Sequence, residues 1–202
     1  METLQHLNYQ LFNFINAGNG LQGFALTLSI IVAKYLVYLI PLWLVVLWFF
    51  AAPKYRGTLL FAVIAAVLSL IVNYFIGLLW FQPRPFMVPI GHTYLTHAPD
   101  SAFPSNHVTF IWAIGFSLLL QSGLRGPGSI MLLIALAVGW ARVFLGVHFP
   151  LDVLGGLVVA TIVVLIISPL KPLINRTILP VADAISRKIF PPRKTMHFKN
   201  YR

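Results

Sequence analysis

The chain has 202 residues, of which 59% are apolar, 14% aromatic and 9% charged. A soluble domain is about 45–50% apolar and ~25% charged, and one of this length cannot cover so much apolar surface with polar groups. A typical cytosolic enzyme, a disordered chain and a disulfide scaffold are therefore excluded. The formal charge is +10, from 14 Lys+Arg against 4 acids, and the absence of Cys removes thiol catalysis and Cys-ligated metal.

Taken in chain order, the first element covers residues 1–18. Leu4, Leu7, Leu11, Phe12 and Ile15 recur at helical spacing, with Gln5, Asn8 and Asn13 between them. This pattern predicts an amphipathic helix lying on a membrane surface. Asn16-Ala17-Gly18 stops it. The first basic residue is Lys34, so no charged region precedes an apolar stretch and no secretory leader is expected.

Five apolar runs follow: A over 21–52, broken only by Lys34, B over 59–81, C over 108–121, D over 130–147 and E over 151–170. A bilayer takes roughly 20 helical residues. C and D are short and extend into polar loops. The expected fold is all-α, a polytopic membrane helical bundle of five transmembrane helices, or six if run A is two segments, plus the N-terminal amphipathic helix. Residues 1–20 form the interfacial helix, 21–170 the transmembrane core and 171–202 a basic tail.

Positive charge sets the orientation. Lys54 and Arg56 lie between A and B, and Arg125 between C and D. Lys171, Arg176, Arg187, Lys188, Arg193, Lys194, Lys199 and Arg202 follow E, which places eleven of the fourteen basic residues on one side. That side is assigned to the cytoplasm, and the tail also suits contact with anionic lipid. No aromatic-basic platform accompanies the charges, so nucleic acid is not an expected partner.

The opposite side holds most of the reactive side chains. Loop 82–107 carries Arg84, His92, His97, Asp100, Ser105, Asn106 and His107, and the D–E junction carries Arg142, His148 and Asp152. The ends of B and D and the starts of C and E all meet at this face. Two Arg and a Ser suit a phosphate, because a guanidinium forks onto its oxygens. Ser105-Asn106-His107 open a helix, whose N-terminal amides also favour an anion. Two His supply a nucleophile and a proton donor near neutral pH. With Pro150 in the first turn, Asp152 reaches back to His148 and fixes its tautomer.

Alone, each residue has a plainer role: Arg84 and Arg142 as interface anchors, Ser105 as an N-cap, Asp152 as a first-turn charge. Together on one face they fit phosphoryl transfer through a phosphohistidine, with no metal required. His92, His97 and Asp100 are read as loop hydrogen-bonding or capping groups. A zinc set of His92, His97 and His107 is poorly spaced.

Arg84-Pro85, Pro104-Ser105-Asn106-His107 and Arg142-x5-His148-x3-Asp152 resemble, in order, the three motifs of the type 2 phosphatidic acid phosphatases. The resemblance covers about 77–156. It implies that His148 is the nucleophile and Asp152 its orienting partner. It implies that His107 is the acid for the leaving group and then the base for water. Arg84, Arg142, Ser105 and the Asn106 amide would cradle the phosphate. The chain departs from the pattern at Gly77, where the first-motif Lys would stand, at Asn106 for Gly, and at Ala141 for Ser. Lys34 is a candidate to supply the missing phosphate charge. The segment His97-Ala98-Pro99-Asp100-Ser101-Ala102-Phe103-Pro104-Ser105 resembles the bacterial undecaprenyl-diphosphate phosphatases linked to bacitracin resistance. That resemblance implies hydrolysis of undecaprenyl diphosphate to the monophosphate at the periplasmic face of the inner membrane, without cofactor. The alternative is a phosphatase or phosphotransferase for another lipid phosphate: phosphatidylglycerol phosphate, phosphatidic acid or lipid A.

Overall fold

The computed structural model describes residues 2–189, so Arg193, Lys194, Lys199 and Arg202 lie outside the described residues. Every regular element among those described is helical. The amphipathic segment is α1 (Glu2–Ile15). Run A is α2 (Gly23–Ile30) and α3 (Leu36–Phe50), joined by a π turn at Ile31–Tyr35. Gly23–Phe50 is thus one continuous helix of 28 residues. Run B is α4 (Arg56–Leu79), C is α5 (Asn106–Leu119), D is α6 (Arg125–Phe144) and E is α7 (Pro150–Ile167).

The chain does not leave the helix at 170 as expected. A 3-10 turn at Ser168–Leu170 leads into α8 (Lys171–Thr177), and α9 (Leu179–Ile189) follows. Pro169 and Pro172 each fall in a first turn, where a missing N–H costs nothing, so they steer the helix without ending it. Lys171 and Arg176 therefore sit on this helical extension.

Among the described residues, four helical stretches are long and apolar enough to cross a membrane: Gly23–Phe50, Pro53–Leu79, Ser122–Phe144 and Pro150–Thr177. α5 is the exception at 14 residues, about 21 Å at 1.5 Å per residue. It is also the central helix, packed among α4, α6 and α7. Its Ile111, Ile114 and Leu118 meet Ala62 and Ala65 of α4, Met131 and Val138 of α6, and Val164 of α7 in one core. The outward faces stay apolar: Leu133 is 66% and Ile166 69% exposed. Apolar faces on both sides of a helix are what a lipid-surrounded bundle requires.

Small residues set the spacing of the core helices, as is usual between membrane helices. A Cβ on Gly156 of α7 would stand 2.9 Å from Thr109 Oγ1 and 3.0 Å from the Ser105 carbonyl. The start of α5 therefore lies directly on α7.

α1 does more than lie on a surface. Its Phe12 is fully buried and clusters with Val143 and Phe149 at one end of the bundle. Leu4, Leu7, Leu11 and Phe14 point outward. The apolar positions thus divide between two faces, one on protein and one free to meet lipid.

Candidate active site

The reactive residues converge on the end of the bundle that α1 covers. The tightest element is the turn from α6 to α7. Val147 N–H bonds back to the Arg142 carbonyl at 3.0 Å. Gly146 has φ +78°, and a Cβ there would strike the His92 carbonyl, so no other residue fits. The chain then extends through Phe149, and Pro150 begins α7.

Asp152 stands in the first turn of α7, where its Oδ2 accepts the Phe149 N–H at 2.8 Å. The same oxygen lies 3.3 Å from His148 Nδ1. On the far side of the ring, Arg84 Nη1 is 3.3 Å from His148 Nε2. A carboxylate only accepts and a guanidinium only donates, so the proton sits on Nδ1 and the lone pair on Nε2. His148 is 2% exposed. Burial, then the charges of Arg142 and Arg84, hold its pKa well below the usual 6.5. The ring is therefore neutral at neutral pH, with the Nε2 lone pair turned to Arg84.

Arg84 is held on three sides. Nε donates to Asp100 Oδ1 at 2.9 Å, Nη1 to the Val147 carbonyl at 2.9 Å and Nη2 to the Ser101 carbonyl at 3.3 Å. Arg142 is as deeply buried but less engaged: Nη1 donates to the Ala33 carbonyl at 3.1 Å, while Nε and Nη2 have no partner among the described residues. Ser105 Oγ is likewise buried and unpartnered. Its own N–H donates to the Asp152 carbonyl at 3.0 Å, which ties the start of α5 to the start of α7. An unsatisfied buried donor costs about 1–3 kcal/mol. Three such groups beside one histidine suit an anion with several oxygens.

His107 is half-buried in the first turn of α5. Asn106 precedes it, with Oδ1 accepting from Asn73 Nδ2 at 2.9 Å. The first-turn amides of α5 lack intrahelical acceptors, as at any helix start.

Lys34 is not brought to this group. It is exposed, its ammonium stands 5.3 Å from the Tyr35 ring centroid, and it makes no hydrogen bond or ion pair with the cluster. Neighbours on a helix point about 100° apart, and it is Ala33 that faces inward, its carbonyl on Arg142. Gly77, at the first-motif Lys position, packs on Ser101; a Cβ there would be 3.3 Å from Ser101 Cβ.

Asp100 is more than a capping group, since it fixes Arg84. The His97 ring is 6.4 Å from that of His148, with Nδ1 beside the Ala98 carbonyl at 3.1 Å. Burial lowers the His97 pKa. His92 is exposed and is held through its backbone by Asn16. Among the described residues, His92, His97 and His107 form no metal-holding group. Sequence reasoning missed the roles of Asp100, Asn8 and Asn16. Asp100 had a signal, being one of only four acids. The two Asn had none, because their partners are 76 or more residues away.

The arrangement can hold a tetrahedral anion, attack it with a neutral imidazole and protonate what departs. A family model described as the PAP2 superfamily matches residues 57–176. YbjG of Escherichia coli (strain K12) is 39% identical over 159 residues, covering 79% of this chain and 80% of that one. The undecaprenyl-diphosphatase BcrC of Bacillus subtilis is 34% identical over 157 residues, covering 78% and 80%. The crystal structure of Aquifex aeolicus LpxE aligns with a TM-score of 0.63 at 27% identity, covering 79% of this chain and 93% of that one.

Proposed function

Because the chain belongs to the PAP2 superfamily, we propose that it is a membrane lipid phosphatase that hydrolyses undecaprenyl diphosphate to undecaprenyl phosphate. His148 Nε2 attacks the terminal phosphorus. The bond from that phosphorus to the bridging oxygen breaks, and His107 gives the departing oxygen its proton. A water then attacks the phosphohistidine, His107 takes its proton, and inorganic phosphate leaves. Asp152 holds the Nδ1 proton throughout and offsets the positive charge of the phosphorylated ring. Arg84, Arg142, Ser105 and the Asn106 amide bind the phosphoryl oxygens. All of the chemistry lies in these side chains, so neither metal nor cofactor enters.

One observation carries the reading. Arg142 Nε and Nη2 and Ser105 Oγ are buried without a partner among the described residues, beside a neutral His148 whose Nε2 faces Arg84. The name of the Bacillus subtilis relative supports the substrate. The long lipid chain stays in the bilayer, so a small protein can act on a large substrate.

The bundle has five spans, counting the short α5. The charge asymmetry supports a cytoplasmic basic tail from 171 to 202 and a site facing the periplasm across the inner membrane. The core is 21–170, and residues 1–20 are an interfacial helix.

The test is phosphate release from undecaprenyl diphosphate by purified protein in chelator. Wild type turns over, and His148→Ala and His107→Ala do not. Full activity in His148→Ala, or loss of wild-type activity to the chelator, would overturn the mechanism.

A further inference from the structure

The structure assigns α1, which lies outside the matched family region 57–176, to the catalytic apparatus. It acts as a clamp that holds the nucleophile turn, with Asn8 as the positioning residue. The first turn of α7 has an exposed need: the Leu151 N–H has no intrahelical acceptor. No residue near it in sequence supplies one. Asn8 Oδ1 accepts that N–H at 3.0 Å, from 143 positions away. An N-cap is ordinarily local; here another helix delivers it.

The contact is one of a pair flanking the catalytic turn. Phe149 is 5% exposed, and its ring lies between those of Tyr9 and Phe12, with centroids at 5.2 and 5.1 Å. Residues 149 and 151 are thus both held by α1, and they bracket the Phe149 N–H···Asp152 bond that aims the carboxylate at His148. α1 is itself anchored at its other end. Asn16 Nδ2 donates to the Phe144 carbonyl at 3.0 Å and the His92 carbonyl at 2.9 Å. Its Oδ1 accepts the His92 N–H at 2.7 Å, and the Ala17 N–H donates to the Phe144 carbonyl at 2.9 Å. Phe144 is two residues beyond Arg142. The helix therefore spans the reversal that carries Arg142, His148 and Asp152, and fixes both its ends.

Asn8 touches neither His148 nor the phosphate-holding groups, so it acts on the orientation of the ring and not on substrate binding. This rests on the proposed function, and the test separates the two. In Asn8→Ala, kcat for lipid diphosphate falls by about 10-fold or more, the scale of a small misplacement of a reacting group, while KM changes less than about twofold. Asn8→Asp keeps the acceptor oxygen at a helix N-terminus, where a negative charge is tolerated, and restores kcat to near wild type. Phe14→Ala, on the outward face, leaves kcat unchanged. The independent readout is the ring 15N spectrum of His148 in micelles without substrate: wild type holds the Nδ1–H tautomer and Asn8→Ala shows a mixture. Wild type inactive on lipid diphosphate, with the tautomer shift intact, would sink the proposed function but not the clamp. An unchanged tautomer, an unchanged kcat, or a loss that Asn8→Asp does not rescue overturns the clamp.

Discussion

Replacing Asp152 by Asn separates the charge of this residue from its shape. The carboxylate uses one oxygen, Oδ2, for both contacts, 2.8 Å to the Phe149 N–H and 3.3 Å to His148 Nδ1. An amide oxygen in the same place can accept both protons. The turn and the tautomer then survive, and only the negative charge is lost. That charge matters most when Nε2 is bonded to phosphorus and the ring is cationic. A hydrogen bond to a charged group is worth about 1.5–3 kcal/mol, which corresponds to about 10- to 150-fold in rate at 1.36 kcal/mol per tenfold. The expected result is a fall in kcat of that size with KM nearly constant, since substrate binding meets a neutral ring in both proteins. Single-turnover quench of the phosphoenzyme measures it directly. Asp152→Ala is the contrast, because it also leaves the Phe149 N–H buried and unpaired, and loses stability as well as rate. A kcat for Asp152→Asn within twofold of wild type, or an effect confined to KM, would refute the reasoning.

The remaining predictions concern pH, charge and packing. In the proposed mechanism the neutral ring of His148 is the attacking form, and its pKa is held well below 6.5 by burial and by Arg142 and Arg84. Phosphoenzyme formation should therefore stay level as pH falls through 6.5 and decline only in more acid solution; half-loss at 6.5 or above in a quench series contradicts this. Arg142→Met should abolish turnover while the unfolding temperature holds or rises. A charge buried with one protein acceptor is at best neutral for stability against an apolar side chain of similar volume, and thermal scanning checks it. Gly156→Ala should destabilise by about 1–3 kcal/mol, the usual range for overpacking. Its Cβ meets Thr109 Oγ1 at 2.9 Å and the Ser105 carbonyl at 3.0 Å, and denaturant unfolding in mixed micelles reads the loss.

Much of the bundle was legible because lipid imposes a simple rule on composition. Runs B to E each became a helix near the predicted bounds. The helical extension past 170 was not legible, because Pro169 and Pro172 sit in first turns, where a proline does not end a helix. Arg84, Ser105, His107, Arg142, His148 and Asp152 stood out because polar residues were concentrated on the charge-poor side. Lys34 was misplaced by the same logic. Its charge was visible, but which way it faced depended on a π turn that periodicity does not announce. Asn8 looked like a polar spacer on an amphipathic helix, and only the docking of α1 onto α7 gave it a partner.

That π turn has a consequence for chain length. It occupies Ile31–Tyr35 within a helix that is continuous over 28 residues, and the Leu36 N–H reaches back five residues to the Ile31 carbonyl. Such a turn absorbs one residue more than an α turn and so shifts the angular phase of everything before it by about 100°. Below it, Ile40 and Leu44 face the core; above it, the Ala33 carbonyl meets Arg142. A purely α-helical segment of the same number of residues could keep one of these alignments but not both. What ties this lipid-facing helix to Arg142 is thus a count of residues more than a choice of them: a deletion that restores an α turn keeps both alignments, and one further residue breaks one.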